Sequence, residues 1–282
     1  MVRPYSVYGP CGQNVSGNSQ VIGAFPAPAI RVKGFTKMTY LPYHIEGADR
    51  SGRWLVTCDH ATNTVPPQIA GDTLGLDAAD MARHIAYDVG AAGVTRALAT
   101  LLDSPAILSN FSRLVIDPNR GEDDPTLLMK LYDGTIIPAN RHADAAEREH
   151  RLNLCYRPYH EALTNLAAGP ATVLLSIHSF TPKLLGKLGR PWEIGVLYAD
   201  DARIARPLID HLHAEPDLTV GDNEPYAGHL PGDAVDRHAL QHGRPNVLIE
   251  LRNDLIADTA GQQAWAARLA PVLETVLAQT QL

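Results

Sequence analysis

The chain has 282 residues, of which 45% are hydrophobic and 20% charged, a composition typical of a folded protein with one large or two small domains. A net charge of −7, without a run of Lys or Arg longer than two residues, argues against a nucleic-acid-binding protein. No apolar stretch approaches the roughly 18 residues of a membrane-spanning helix, and the first 37 residues contain no signal-peptide core. We therefore expect a cytoplasmic protein without nucleic-acid or membrane partners, and three cysteines without CxxC spacing argue against disulfides.

Residues 1–37 contain Pro and Gly at short intervals and show neither helical nor strand periodicity. We predict an irregular N-terminal extension over 1–37 and a single folded domain over 38–282. The abrupt change at Met38 predicts that the natural chain starts there. Mass spectrometry of the natural N-terminus tests this, and an intact Met1 would contradict it.

After Arg53, short apolar runs alternate with amphipathic ones, which predicts an α/β fold with a mostly parallel or mixed central sheet and helices on both faces. The predicted strands are 54–58, 106–108 leading into 114–116, 172–177, 193–197 and 246–251. The predicted helices are 88–102, with Asp88 as its N-cap, 143–168, 202–213 and 259–280.

Chemically able side chains follow several of these strands. His60 comes after the first, His178 after the third, and Glu250 lies in the last. Ligands of open α/β sheets bind at the carboxyl ends of the strands, so we expect these side chains to meet. A single histidine there is as often structural as a ligand, but two with a glutamate can hold a metal, leave room for water and accept its proton. The sequence predicts a mononuclear zinc hydrolase site.

Three short segments are similar to motifs of the zinc carboxypeptidases: SIHS (176–179) to their strand-end histidine, ELR (250–252) to their general base, and DPNR (117–120) to their carboxylate-binding motif. Seven segments together resemble the N-formylglutamate amidohydrolase family, in the family's order and from about residue 40 to the C-terminus. They are CDHATN (58–63), HIAYDVGA (84–91), NFSRLVIDPNR (110–120), YRPYHEAL (156–163), SIHSF (176–180), GDNEPYAG (221–228) and VLIELRNDLI (247–256).

The resemblance implies an amidohydrolase domain over 38–282 with a fold like that of the zinc carboxypeptidases and phosphorylase-type hydrolases. It implies metal-dependent hydrolysis of the amide bond of N-formylglutamate or a related small acidic N-acyl amino acid. His60 and His178 become ligands of one Zn²⁺ per chain, another divalent ion being the alternative. Glu250 becomes the general base that deprotonates the zinc-bound water.

The substrate's other half is assigned by the same resemblance. Asn119 and Arg120 become binders of its carboxylate, because a guanidinium matches a carboxylate with two parallel hydrogen bonds. Arg113 either binds a carboxylate or stabilises the oxyanion, and the sequence does not separate these roles. Further predicted substrate contacts are Arg252, Asn223 and Tyr226, the last two in a loop that could cover the site.

The third metal ligand departs from the carboxypeptidase pattern. Those enzymes use His-x-x-Glu, whereas this chain has His60-x-x-Asn63, and an amide is a poorer zinc ligand than a carboxylate. Asn63 and Asp88 are the two alternatives carried forward, with Asp59 and His84 as further substitutes. Asn63 is equally compatible with binding substrate or supporting a ligand.

Two other functions remain open at this stage. One is a carboxypeptidase-like or cell-wall-peptide hydrolase with a wider cleft. The other is a catalytically degenerate binder of small acidic ligands, motivated by the missing carboxylate at Asn63. Of the remaining histidines, His160 is predicted to pack or cap a helix, and most others to lie on the surface, with His238 as a secondary site candidate.

Overall fold

The structure is a computed structural model that describes residues 40–169, 172–228 and 230–280. The predicted extension over 1–37, and Cys11 within it, lie outside the described residues. Cys58 and Cys155 are buried and free, in agreement with the expectation of no disulfide between them. None of the described helices is long and apolar enough to cross a bilayer.

A seven-stranded mixed sheet forms the centre of the domain, beside a separate two-stranded hairpin. The strands are β1 Tyr43–Glu46, β2 Trp54–Cys58, β3 Ala106–Ser109, β4 Leu131–Tyr132, β5 Thr135–Ile136, β6 Val173–Phe180, β7 Ile194–Leu197, β8 Val220–Asp222 and β9 Asn246–Arg252. The order in the large sheet is β1-β3-β2-β6-β9-β7-β8. The central strands β3, β2, β6 and β9 run parallel to one another, while β1 is antiparallel to β3 and β7 to β9. The two-stranded hairpin pairs β4 with β5.

Helices cover both faces of the sheet, which confirms the predicted α/β class. On one face α2 (Ala91–Leu101), α6 (Ala205–His213) and α8 (Thr259–Gln279) pack against alternate strand residues such as Trp54 and Val56. On the other face Leu55 packs with residues of α5 (Arg157–Leu166) and its neighbours. Each central strand is buried on both sides because each face has its own apolar layer. The α-helices are α1 Ala78–Met81, α2 Ala91–Leu101, α3 Pro138–Arg141, α4 Ala145–Arg151, α5 Arg157–Leu166, α6 Ala205–His213, α7 Ala234–His238 and α8 Thr259–Gln279.

The predicted strand over 114–116 is wrong: this apolar run is a buried turn. Both sides of β3, the strand that precedes this run, are already paired, with β1 and β2, so the run cannot pair with β3. Side chains satisfy its backbone instead. Asn140 Nδ2 donates to the carbonyl of Leu114 at 2.7 Å, and Arg151 Nη1 donates to that of Val115 at 2.9 Å.

The bounds of most other predicted elements differ from the observed ones, and the differences are largest in three cases. The helix predicted over 143–168 comprises α4, a π-helical turn at Leu152–Tyr156, and α5. The strand predicted over 172–177 continues to Phe180, since its last residues pair with β9. The helix predicted from Asp88 starts at Ala91, and its N-cap is Gly90, with a left-handed φ of 82°.

Candidate functional site

A cavity of about 230 Å³ opens at the carboxyl edge of the central strands. His60 enters it two residues after β2, while His178 on β6 and Glu250 on β9 are direct partners in the parallel register. The longer β6 therefore places the His178 ring inside the sheet edge rather than in a loop. All three side chains are buried, so strand pairing and core packing fix their positions.

His60, Asp88 and His178 form a buried group whose ligand-type atoms lie within 4.8 Å of one another. Asp88 Oδ2 lies 3.2 Å from His60 Nδ1 and 2.8 Å from His178 Nδ1. The two imidazole rings meet edge to face with centroids 4.9 Å apart. Both rings thus present the same nitrogen, Nδ1, to one carboxylate oxygen.

Backbone hydrogen bonds hold Asp88 in this position. Its N–H donates to the carbonyl of His60 at 2.9 Å, and the Ser179 N–H donates to Asp88 Oδ2 at 3.2 Å. Asp88 is therefore not the helix cap predicted from the sequence, because its carboxylate is occupied by His60, His178 and Ser179. Burial raises its pKa, but the neighbouring His60 and His178 outweigh this and hold it below the usual range.

Each histidine also has a second buried aspartate, on its Nε2 side. Asp117 Oδ1 lies 2.7 Å from His60 Nε2, and Asp59 Oδ2 lies 3.4 Å from His178 Nε2. Asp59 is itself held by the Tyr159 hydroxyl, which donates to Oδ1 at 2.6 Å. A carboxylate on one ring nitrogen keeps the proton there and leaves the other nitrogen free to bind a metal.

Arg113 joins this cluster from the cavity side. Its Nη2 donates to Asp117 Oδ2 at 2.8 Å and its Nη1 to Asp88 Oδ1 at 3.3 Å, while Tyr132 packs against the guanidinium. Burial would lower the pKa of Arg113, but Asp117 and its other partners raise it, so the side chain stays cationic. A fixed positive charge therefore lies directly beside the His60–Asp88–His178 group.

Glu250 has different surroundings. Its carboxylate is buried, and within the described residues Oε2 has no hydrogen-bond partner. Burial raises its pKa to about 7, with His178 as the largest opposing influence. A carboxylate with this pKa can both accept and release a proton near neutral pH.

The donor set fits a divalent metal ion. Two imidazole nitrogens and a carboxylate oxygen, all buried and facing one point, are ligands that catalytic zinc uses while keeping a further position open. The close approach of both Nδ1 atoms to one Asp88 oxygen is a contact that a cation between them would replace. His60, His178 and Asp88 are thus the residues that could hold the metal.

Several residues predicted to bind substrate line the same cavity: Arg113, Asn119, Arg120 and Tyr226. Arg120 bonds to the Thr126 hydroxyl and to the carbonyl of Asn119. Asn119 accepts from the N–H of Ala234 at the start of α7. Tyr226 is 39% exposed, and its hydroxyl accepts from Arg190 at 3.1 Å.

Three predicted site residues do not line the cavity. Asn63 donates through Nδ2 to the carbonyl of Met81, away from the two histidines, so Asp88 remains as the third-ligand candidate. Arg252 forms ion pairs with Glu193 and Asp254. Asn223, with φ of 54°, accepts from the N–H of Tyr198 and shapes the turn after β8.

Sequence reasoning missed how the supporting residues are used. The sequence indicates Asp117 only as part of a carboxylate-binding motif, whereas in the structure it contacts both His60 and Arg113. Asp59 is one of the substitute ligands predicted from the sequence, yet it lies on the Nε2 side of the His178 ring, opposite Asp88. His84, another substitute, lines the cavity but pairs with Asp133, 3.5 Å away. The position of Asp59 beside His60 in the sequence was the signal available, and it did not reveal which histidine Asp59 supports.

The family model for N-formylglutamate amidohydrolase matches residues 52–257. The chain belongs to this family. No protein with a curated description matches it. Among solved structures, the gene product Atu2144 from Agrobacterium tumefaciens is 35% identical, with a TM-score of 0.80 over 86% of this chain and 98% of that one. An N-formylglutamate amidohydrolase from Ralstonia eutropha JMP134 is 20% identical and has a TM-score of 0.55 over 84% of this chain and 95% of that one, which indicates a shared fold.

Membership in this family supports hydrolysis of an amide bond as the reaction class. The resemblance found in the seven short segments is thereby confirmed at the level of family. The matched range begins just before β2 and ends after β9, so it includes every strand that contributes to the cavity.

Proposed function

We propose that the protein is a zinc-dependent amidohydrolase that cleaves N-formylglutamate or a closely related small acidic N-acyl amino acid. The observation that carries this proposal is the buried His60–Asp88–His178 group beside Glu250 in one cavity. The family assignment supports the reaction class.

His60 and His178, through Nδ1, and Asp88, through its carboxylate, would hold the metal. Bound there, a divalent ion supplies the Lewis acidity that makes water nucleophilic near neutral pH. Asp117 and Asp59 keep the two imidazole rings oriented, since each contacts the Nε2 side of one ring.

Glu250 is the proposed general base. Its unpartnered Oε2 accepts the proton of the attacking water and returns it to the nitrogen of the leaving amino acid. Burial gives this carboxyl group a pKa of about 7, so little free energy separates its two protonation states at neutral pH.

The arginines divide between two tasks. Arg113 contacts Asp88 and so lies next to the reacting carbonyl, where its charge stabilises the developing oxyanion. Arg120 has neutral hydrogen-bond partners and no carboxylate within ion-pair distance among the described residues. It is therefore the proposed partner of the substrate's α-carboxylate.

The cavity volume favours a small substrate over a peptide. About 230 Å³ lies below the roughly 300–1,000 Å³ of pockets for drug-sized ligands. A pure binder of acidic ligands has no use for Glu250, because an unpartnered buried carboxyl group serves proton transfer and not the binding of an anion.

The first experiment is elemental analysis of the purified protein, together with formate release from N-formylglutamate with and without added zinc. We expect about one zinc per chain and metal-dependent formate release. Absence of both, even after zinc is supplied, would favour the degenerate binder.

Glu250→Gln tests the assigned base. The amide keeps the size of the side chain but cannot accept the proton, so we expect kcat to fall by about 10²–10⁴-fold while zinc content is unchanged. A rate near that of the unmodified protein would refute the mechanism.

Arg120→Ala tests the carboxylate contact. Because this contact is present in both ground and transition states, we expect KM to rise more than kcat falls. An equal fall in kcat and kcat/KM would assign Arg120 to the oxyanion instead.

A further inference from the structure

Arg190 lies beside the cavity, where it contacts two aromatic rings that line it without being a lining residue itself. Its guanidinium carbon is 4.9 Å from the ring centre of Tyr226 and 5.7 Å from that of Phe180, and both rings line the cavity. Its Nη1 donates to the carbonyl of Thr181 and to the Tyr226 hydroxyl, each at 3.1 Å. Stacking and these two bonds restrict the guanidinium plane before any ligand arrives.

The hydrogen bonds of Arg190 go only to neutral groups in the described part of the chain. Several other arginines of the domain have acidic partners: Arg113 has Asp117, and Arg206 has Asp222. Arg190 has no carboxylate within ion-pair distance among residues 40–169, 172–228 and 230–280. A guanidinium whose faces contact aromatic rings still has edges that can bind a carboxylate in a bidentate manner.

The charge of Arg190 acts on the cavity. Burial lowers the pKa of His84, a lining residue, and Arg190 is one of three arginines that lower it further. Arg113 is already engaged by Asp117 and Asp88, so Arg120 and Arg190 are the two guanidinium groups near the cavity without an acidic partner in the described residues. An N-acyl acidic amino acid carries two carboxylates.

We propose that Arg190 is the specificity-determining residue that binds the second, side-chain carboxylate of the substrate, while Arg120 binds the first. This inference rests on the proposed function. It makes the protein selective for N-acyl derivatives of dicarboxylic amino acids over their uncharged analogues. Tyr226 and Phe180 hold the guanidinium in place for that contact.

The test compares N-formylglutamate with N-formylglutamine, which differ only in the side-chain carboxylate. In Arg190→Gln we expect kcat/KM for N-formylglutamate to fall by about 10–100-fold, the loss of a charge-assisted hydrogen-bonded pair. The value for N-formylglutamine should change by less than about threefold, since its amide makes no such pair. Arg190→Lys keeps the charge without the fork and should give an intermediate ratio.

Arg206→Gln is the matched control. Arg206 also stacks on a tyrosine, Tyr198, at 4.9 Å, but it is paired with Asp222, and neither of these two partners lines the cavity. In Arg206→Gln the ratio of kcat/KM for N-formylglutamate to kcat/KM for N-formylglutamine should equal that of the unmodified protein. A general disturbance of the loop around Tyr226 would lower kcat/KM for both substrates by the same factor and leave their ratio unchanged. An unchanged ratio of the two kcat/KM values in Arg190→Gln therefore overturns the inference.

Binding separates this inference from the proposed function. Calorimetry on zinc-loaded Glu250→Gln protein, with and without Arg190→Gln, measures affinity for both compounds without turnover. Preference for N-formylglutamate that disappears with Arg190→Gln supports the inference even if no hydrolysis is found, an outcome that would refute only the proposed reaction. Equal affinity for the two compounds in the protein with Arg190 intact overturns the inference.

Discussion

Two pairs of buried histidines lie among the described residues of this domain, and they differ in their neighbours. His60 and His178 meet edge to face at 4.9 Å, whereas His160 and His238 stack at 5.1 Å with His160 Nδ1 2.8 Å from His238 Nε2. The first pair shares Asp88. Among the described residues the second pair has no carboxylate within ion-pair distance, and its polar neighbours include the Thr164 hydroxyl, the Pro118 backbone and nearby arginines.

The pKa shifts follow from these neighbours. Burial lowers the pKa of His178, but contacts with Asp59 and Asp88 raise it well above its usual value. Burial lowers the pKa of His160 and brings that of His238 to about 4, with Arg237 acting in the same direction on both. Asp59 opposes these shifts without overcoming them. A carboxylate in contact, rather than burial, therefore decides which buried histidine can carry charge or bind a cation.

The two pairs also differ in what they can do. The histidines with aspartates on both ring nitrogens could hold a metal ion, while the stacked neutral histidines join α5 to α7. His238, the secondary site candidate, is 2% exposed but does not line the cavity. The predicted packing role of His160 agrees with its buried position.

The largest expected effect comes from removing a histidine of the first pair. His178→Ala should abolish zinc binding and formate release, because one of three ligands is lost together with the partner of Asp88. The matched change in the second pair, His238→Gln, should leave zinc content at the level of the unmodified protein below its melting temperature. Elemental analysis of both variants tests the comparison, and full zinc occupancy in His178→Ala would remove the distinction.

The second pair should make stability fall in mild acid. An unfolded chain binds protons on histidine near pH 6.5, whereas folded His238 does so only near pH 4, so the unfolded state gains protons first as pH falls. The stability contributed by the neutral histidine is full above about pH 6.5 and is lost towards pH 4. For His238 alone this amounts to about 2 kcal/mol between pH 7 and pH 5.

Denaturant unfolding of metal-free protein at both pH values measures this loss. His178 titrates in the opposite sense because its folded pKa is raised, so the informative quantity is the difference between the unmodified protein and His238→Gln. The variant should lose less stability on acidification. An identical loss in the two proteins would show that the neutral pair does not set the acid response.

A smaller effect on zinc affinity is expected from removing the charge of a carboxylate that contacts a histidine of the first pair. Asp59→Asn removes the charge that faces His178 Nε2 but keeps the side chain's size, and zinc affinity should fall by about 10–100-fold. Tyr159→Phe, which removes only the hydroxyl bonded to Asp59, should lower zinc affinity less. Competition with a chelator measures both, and unchanged affinity in Asp59→Asn would leave Asp59 without a role at the site.

The sheet could be predicted because burial on both faces gives the central strands uninterrupted apolar runs. Trp54–Cys58 is the clearest case: it was predicted with the bounds that the structure shows. The run at 114–116 has the same local character but forms a turn, since whether an apolar run becomes a strand depends on a free neighbouring edge. That edge is a property of the assembled sheet.

The candidate site was predictable where it lies on strands. His60, His178 and Glu250 could be placed together because parallel strands bring their carboxyl ends to one edge. Arg252 lies on the same strand as Glu250, yet Glu193 and Asp254 hold it away from the cavity. Alternation along a strand gives a side chain its face, but not its ion-pair partners.

The sequence by itself determined the family, the α/β class and the histidines and glutamate at the sheet edge, because short apolar runs and short motifs are local properties. Only the tertiary structure decided that Asp88, and not Asn63, lies beside the two histidines, since this depends on how the segment before α2 folds back onto His60 and Ser179. It also brought Asp59 to His178, 119 residues later in the chain, and Arg190 to two aromatic rings that line the cavity. Ion pairs and stacking between distant residues are set by packing, and no local pattern encodes them.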